Sequence, residues 1–197
     1  MTTFYLIRHG EPDWDFIQGR GITGALRDFV PLTQKGISQA EQIVNSVKDI
    51  LEADLIISSP YTRALQTAAT MNINLRLPIQ VEFDLYEWNA DNWTSKSVEE
   101  LNALSKDYIE HGGYCPPGEN KIWETKESIQ NRTLSVLRKY TDHSKVLVVC
   151  HGMVISTLMN CSSEEIGFCS VHEFRLGQYS NCCNDDDLIL YLSKKLH

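Results

Sequence analysis

A chain of 197 residues with 42% hydrophobic, 9% aromatic and 22% charged residues has the size and apolar content of one globular domain, which excludes disorder, collagen and small disulfide scaffolds. Its 18 Lys and Arg against 26 Asp and Glu leave a formal charge of -8, which repels a phosphate backbone, so no nucleic-acid partner is expected. The longest apolar runs fall far short of the roughly 20 residues that span a bilayer, and the start, with its first Arg at Arg8, lacks a signal-peptide pattern, so no membrane partner and a cytoplasmic location are expected.

In chain order, Phe4 to Ile7 reads as a first strand, followed by a loop rich in Gly, Asp and Pro. Thr33 then N-caps a helical pattern in which Ile37, Ala40, Ile43, Val44, Val47, Ile50 and Leu51 recur at three- and four-residue spacing. Leu55 to Ile57 is a second strand, and Ala64, Leu65, Ala68, Ala69 and Met71 mark a helix after the Pro60 turn. A third strand is expected over Ile79 to Phe83, then two amphipathic helices, Val98 to Ile109 and Thr125 to Tyr140. Between them lies a Gly- and Pro-rich loop, Gly112 to Asn120, within an irregular segment, His111 to Glu124, of a length that compact domains use for lids or binding loops. The most β-like run, Val146 to Cys150, precedes a helix over Val154 to Met159. Val171 to Leu176 and Leu188 to Leu192 read as edge strands, the second preceded by a solvated acidic turn at Asp185 to Asp187. This alternation predicts an α/β fold, a three-layer sandwich whose mostly parallel sheet is flanked by helices on both faces, in a single domain over 1–197. The six cysteines show no C-x-x-C spacing, so no structural zinc is expected. Cys150 and Cys161 read as buried apolar residues, and Cys182 and Cys183 as turn residues.

Open parallel sheets bind ligands outside the carboxyl ends of their strands. Those ends here carry Arg8-His9-Gly10-Glu11, Ser58-Ser59-Pro60-Tyr61-Thr62-Arg63, Leu85-Tyr86-Glu87-Trp88 and His151-Gly152. Two guanidiniums offer rigid, permanently charged forks that match phosphate oxygens, and an imidazole can act as nucleophile. Arg8, Arg63 and a protonated His151 would neutralise a phosphoryl group without metal or other cofactor. Gly10 and Gly152 would let backbone approach the ligand, and the helix after Gly152 adds amide donors. A metal hydrolase built on His9 and His151 is disfavoured, because arginines or glycines flank both instead of further ligands. Asp15, Arg20 and Trp93 are weaker substrate-binding candidates.

The same blocks, with Leu32-Thr33-Gln34-Lys35-Gly36-Ile37-Ser38-Gln39-Ala40, Ala64-Leu65-Gln66-Thr67-Ala68 and Val149-Cys150-His151-Gly152, resemble the histidine phosphatase superfamily, the phosphoglycerate mutase-like proteins, in order along nearly the whole chain. The resemblance implies that His9 is the nucleophile that becomes phosphorylated. It makes Arg8, Arg63 and His151 the phosphate pocket, and Glu87 the acid to the leaving oxygen and then the base to water. Apolar neighbours Tyr86, Trp88 and Trp93 would raise the pKa of Glu87. Two positions depart from the family pattern. Trp14-Asp15 stands where many members have Trp-Asn, and a carboxylate about 4 Å from phosphate would cost roughly 1 to 4 kcal/mol. Asp15 therefore points away, is protonated, or meets a cationic part of the substrate. Thr94-Ser95 stands where Glu-Gly is usual, which alters the substrate contacts expected near Trp93. Cys115-Pro116-Pro117-Gly118-Glu119 resembles the segment that borders the substrate.

Phosphatase action on a small phosphorylated metabolite is the first expectation, since mutases of this superfamily usually have longer chains. Mutase-type phosphoryl transfer is the enzyme alternative, and an inactive phosphate-binding module, suggested by Asp15, is the alternative of another class. Substrate identity and oligomeric state are not written in the periodicity.

Overall fold

The computed structural model describes residues 1–176 apart from 47 and 96. Within them, β1 (Thr3–Arg8), β2 (Leu55–Ser58), β3 (Ile79–Val81), β4 (Lys145–Cys150) and β5 (Val171–Phe174) form one sheet in the order β3-β2-β4-β1-β5. β5 pairs antiparallel with β1, and the other pairs are parallel. Helices α2 (Gln34–Ser46) and α3 (Thr62–Leu75) cover one face, and α5 (Lys126–Arg138) and α6 (Gly152–Met159) the other. The strict alternation of strand side chains builds two cores. Phe4, Leu6, Leu55, Ile57, Val146 and Val148 point to the α5 and α6 side, whereas Tyr5, Ile7, Ile56, Leu147 and Val149 point to the α2 and α3 side. Because both faces are covered, the central strands are continuous apolar runs. The three-layer expectation is thus met.

Several boundaries differ from the sequence expectation for local reasons. Thr33 does cap α2, its Oγ1 accepting from the Gly36 amide at 2.9 Å. However, the helix stops at Ser46, and fully buried Ile50 enters the core through a turn of 3₁₀ helix, Lys48–Glu52, with Leu51 outside. β3 ends at Val81 because a second such turn, Phe83–Leu85, swings Leu85 into the core and leaves Phe83 exposed. The loop after β1 contains a short helix, α1 (Trp14–Gln18), capped by Asp13 at the Phe16 amide, and a 3₁₀ turn, Gly24–Phe29. Helix α4 (Val98–Glu110) is capped by Ser97, and α5 by Thr125, whose side chains accept from the Glu100 and Ser128 amides. Helix α6 begins at Gly152 instead of Val154, and β5 ends at Phe174 instead of Leu176. Cys150 is fully buried, whereas Cys161 is only half-buried against the core. Leu188 to Leu192, Asp185 to Asp187, Cys182, Cys183 and Val47 lie outside the described residues. Among those described, no helix is long and apolar enough to cross a membrane.

Gly10 packs against the first turn of α2. A β-carbon on Gly10 would run into the Gly36 backbone, and one on Gly36 would lie 2.8 Å from the Glu11 amide nitrogen. Backbone cannot yield as a flexible side chain does, so Gly36→Ala should cost about 1 to 3 kcal/mol. Urea unfolding of the variant beside the wild type measures this. An unchanged midpoint would show that α2 shifts freely.

Candidate active site

The β1 and β4 ladder ends with Arg8 opposite Cys150, so the next residues, His9 and His151, leave the sheet side by side. The His9 amide donates to the Cys150 carbonyl at 3.1 Å, and their imidazole centroids lie 5.1 Å apart. One strand over, the Ser59 amide donates to the Val149 carbonyl at 2.9 Å, which sets Ser59 Oγ 2.7 Å from His151 Nε2. The first turn of α3 brings in buried Arg63, whose Nε donates to His9 Nε2 at 3.2 Å. Glu87 arrives on the loop after β3 and is held by two amides, Trp88 at 2.8 Å and Met153, in the first turn of α6, at 3.4 Å. Four strand ends thus deliver Arg8, His9, Arg63, Glu87 and His151 to one place, with Gly152 opening α6 beside them. A β-carbon on Gly152 would sit 3.4 Å from Arg8 Cζ, so the glycine seats the Arg8 guanidinium against the helix start.

Hydrogen bonding assigns the His9 tautomer. Nδ1–H donates to the Gly10 carbonyl at 2.7 Å, which leaves Nε2 with its lone pair facing the arginine side. The Gly10 amide in turn donates to Thr67 Oγ1 at 3.0 Å, fixing that carbonyl. Burial, and then the Arg63 charge, push the His9 pKa down to about 3, so the ring is neutral and nucleophilic near neutral pH. His151, expected to meet a phosphoryl group as a cation, is disfavoured as one by its own surroundings. Burial first, then Arg63 and His9, hold its pKa well below the ordinary value, because removing imidazolium from water among other cations is unfavourable. For Glu87 the direction expected from sequence holds, and burial is the main cause of its raised pKa, opposed by its two amide donors, Arg63 and Arg8. Three polar nitrogens around His9, Arg8 Nε, Arg63 Nη1 and His151 Nδ1, are buried without a hydrogen-bond partner among the described residues. Unmade bonds to buried polar groups are costly, so three in one place mark a site built to receive acceptor oxygens. Among the described residues no cluster of three or more His, Cys, Asp and Glu side chains could hold a metal ion.

The weaker candidates lie further out. Asp15 is exposed on α1. Arg20 is exposed too, its Nη1 donating to the Phe16 carbonyl at 3.1 Å and its guanidinium lying over the Phe16 ring. Trp93 Nε1 donates to Asp28 at 2.8 Å. Thr94 and Ser95 wrap around buried Asp91, which accepts from the Ser95 amide at 2.8 Å and pairs with Arg27 at 2.9 Å.

Three contributors carry no sequence signal. Phe168 lies with its ring centroid 4.2 Å from Arg8 Cζ because antiparallel β5 starts beside the end of β1. Asp28 hydrogen-bonds Tyr61, whose ring packs between His151 and Arg63 at 5.1 and 4.9 Å. Arg132 on α5 forms a buried fork with Glu124, at 2.6 and 3.0 Å, and donates to the Asp84 and Tyr86 carbonyls at 2.6 and 2.8 Å. Glu124 also accepts, through its carbonyl, from Trp88 Nε1 at 2.8 Å. The pair therefore ties the end of the long loop to the segment that carries Glu87.

The sequence profile of the histidine phosphatase superfamily (branch 1) matches residues 4–183. The Bacillus subtilis (strain 168) protein named uncharacterized phosphatase PhoE is 32% identical over 163 residues, 81% of this chain and 76% of that protein. The probable phosphoglycerate mutase GpmB of Proteus mirabilis is 30% identical over 191 residues, 92% of this chain and 82% of that one. Among solved structures, Bacillus stearothermophilus YhfR superposes with a TM-score of 0.66 at 26% identity, covering 89% of this chain and 91% of that one.

Two stability predictions follow from this geometry. Arg132→Met removes the guanidinium from Glu124 and from the Asp84 and Tyr86 carbonyls and should cost about 1.5 to 3 kcal/mol, read as a urea midpoint shift. The neutral histidines make the fold acid-sensitive. Below their unfolded pKa near 6.5 they take protons only when unfolded, so stability is complete above that pH and is lost as pH falls, by about 1.4 kcal/mol per unit for each. Urea unfolding at pH 7.5 and 5.5 should therefore show a smaller acid loss for His151→Asn than for the wild type. Equal losses would mean that His151 charges within the fold.

Proposed function

The chain belongs to branch 1 of the histidine phosphatase superfamily, and from that premise we propose that it is a phosphatase that hydrolyses phosphomonoesters of a small metabolite through a phosphohistidine at His9, with no metal. The carrying observation is the arrangement around the His9 lone pair. Nδ1–H is tied to the Gly10 carbonyl, Nε2 accepts from Arg63 Nε at 3.2 Å, and Arg8, Arg63 and His151 each carry a buried nitrogen without a hydrogen-bond partner among the described residues. The similarity to a protein named as a phosphatase supports the same reading.

In the first step His9 Nε2 attacks phosphorus, the bond to the ester oxygen breaks, and protonated Glu87 gives its proton to the departing alkoxide. Arg8 and Arg63 neutralise the equatorial oxygens, with the Gly152 amide and His151 as further donors. The substrate's charge offsets the two arginines, so a proton reaches His151 only as the anion binds. In the second step water attacks the phosphohistidine, Glu87 takes the water's proton, and the N–P bond returns its electrons to His9. The raised pKa of Glu87 suits both roles, since it is poised to give and to receive.

Turnover by EDTA-treated protein should persist in the wild type and vanish in His9→Ala. Acid quenching with ³²P-substrate should label the wild type alone. Turnover without His9 would overturn the mechanism. Because Glu87 must start protonated, kcat/KM should fall as pH rises through its raised pKa. In Glu87→Gln that alkaline limb should disappear, with a loss of about 10² to 10⁴ on alkyl phosphates. The loss should be smaller on aryl phosphates, whose leaving group needs no proton. An alkaline limb that survives in the variant would remove Glu87 from the acid role.

Similarity to a probable phosphoglycerate mutase favours a second reading, transfer of the phosphoryl group to another position of the substrate. Free phosphate as product supports the first reading, and an isomerised phosphoester the second. Tight phosphate binding with no labelling of His9 would support a non-catalytic module.

A further inference from the structure

Two pairs of arginines at this end of the sheet are held by different chemistry. Arg132 and Arg27 are gripped by carboxylates, Glu124 at 2.6 and 3.0 Å and Asp91 at 2.9 and 3.1 Å, which occupy N–H donors that could otherwise meet a ligand. Arg8 and Arg63, the pair in the phosphate pocket, feel the charge of Glu87 but have no carboxylate at hydrogen-bond distance among the described residues, and they lie beside aromatic rings instead. Arg63 Cζ is 4.9 Å from the Tyr61 centroid and 5.8 Å from that of Trp14. Arg8 Cζ is 4.2 Å from the centroid of Phe168, which belongs to none of the blocks that the sequence singled out. We propose that Phe168 is the positioning residue of Arg8, its ring holding the guanidinium in place for an incoming phosphoryl group without taking up the N–H donors that the phosphoryl oxygens need. This deepens the phosphohistidine reading above and rests on it.

Packing does not account for the ring. Ile166 is buried in the core on the α5 and α6 side, and Cys169 packs against the core on the α2 and α3 side. Phe168, between them, joins neither core and is 36% exposed. A phenyl ring placed by apolar burial alone would enter one of the two. It lies against the reacting groups instead, its centroid 5.8 Å from that of the His9 imidazole as well as close to Arg8. The backbone rivets it there. The Arg8 amide donates to the Ser170 carbonyl at 3.2 Å, and the Cys169 amide returns to the Arg8 carbonyl at 3.1 Å. Cys169 takes a φ of 58°, in the left-handed region that a β-carbon disfavours, so this turn is imposed by its surroundings.

The contacts to Arg8 divide its guanidinium into held and open parts. Nη1 donates to the Ile166 carbonyl, two residues before the ring, and a β-carbon on Gly152 would lie 3.4 Å from Cζ, so the helix start also touches the group. Nε is buried without a partner among the described residues. A carboxylate in place of the ring would claim that donor and cancel the charge, whereas a ring attracts the cation through its quadrupole and leaves both in place. This attraction is stronger where water is excluded, as it is around Nε.

The test compares the wild type with Phe168→Leu, which keeps apolar bulk without a ring, and Phe168→Tyr, which keeps the ring. Binding of inorganic phosphate is read by calorimetry, and urea midpoints on the same preparations separate a lost fold from a lost site. Phe168→Leu should bind phosphate more weakly than the wild type by about threefold or more, and Phe168→Tyr should stay within about threefold. A Leu variant that binds within that margin, or a Tyr variant that fails as the Leu variant does, would overturn the inference. The ring acts through Arg8, so Phe168→Leu should lower kcat/KM on an aryl phosphate less in Arg8→Met protein than in the wild type. Equal losses in the two backgrounds would also overturn the inference. Phosphate binding needs no turnover, so a wild type that binds phosphate but does not label His9 counts against the catalytic reading alone.

Discussion

The parallel pairing of β1 with β4 is the constraint on which the site depends. Six residue pairs in register, from Thr3 opposite Lys145 to Arg8 opposite Cys150, determine that His9 and His151 emerge as neighbours. A slip of one residue would turn every side chain of β1 to the other face. It would move Phe4 and Leu6 out of one core, and Tyr5 and Ile7 out of the other, and carry His9 away from His151. The apolar alternation that stabilises the sheet is therefore also what aligns the reacting groups. The chemistry needs no separate scaffold, because the lowest-energy register already places it.

The same burial shapes the electrostatics. Two arginines and two imidazoles at the ends of a covered sheet cannot all be charged without a counter-anion, and the imidazoles yield because their proton is the easier to lose. His9 and His151 are thereby disfavoured as cations. Glu87, desolvated in the same place, is moved the other way, its pKa raised. One physical cause, removal from water, thus prepares a base-like histidine and an acid-like carboxylate side by side.

What could be read from the sequence follows from this division. Strand cores, their order of alternation with helices and the residues directly after each strand were legible, because periodicity and strand-end position are local properties. Thr33 as a helix start was equally local. Residues whose role depends on distant pairing were not. Phe168 reaches Arg8 only because β5 runs antiparallel at the sheet edge, and Asp28 reaches Tyr61 only through the 3₁₀ turn that the loop after β1 conceals. The lowered pKa of His151 was not legible for a related reason. Its residue type suggests a cation, but its pKa is set by burial beside Arg63, which no spacing reports.

The parts of the site are accordingly held in place by different means. His9, Arg63 and His151 are fixed by backbone ladders and by the first turn of a helix, so they tolerate little displacement. The segment that carries Glu87 is held by side chains instead: the Arg132 fork on Glu124 and on two carbonyls, the Arg27 pair with Asp91, and the Trp93 bond to Asp28. Such pairs can be exchanged one at a time without altering the register of the sheet. A buried ion pair of this kind is also weak evidence of stability for its own sake, because an apolar isostere often serves as well. Its value here is geometric, since it holds the Glu87 segment against α5.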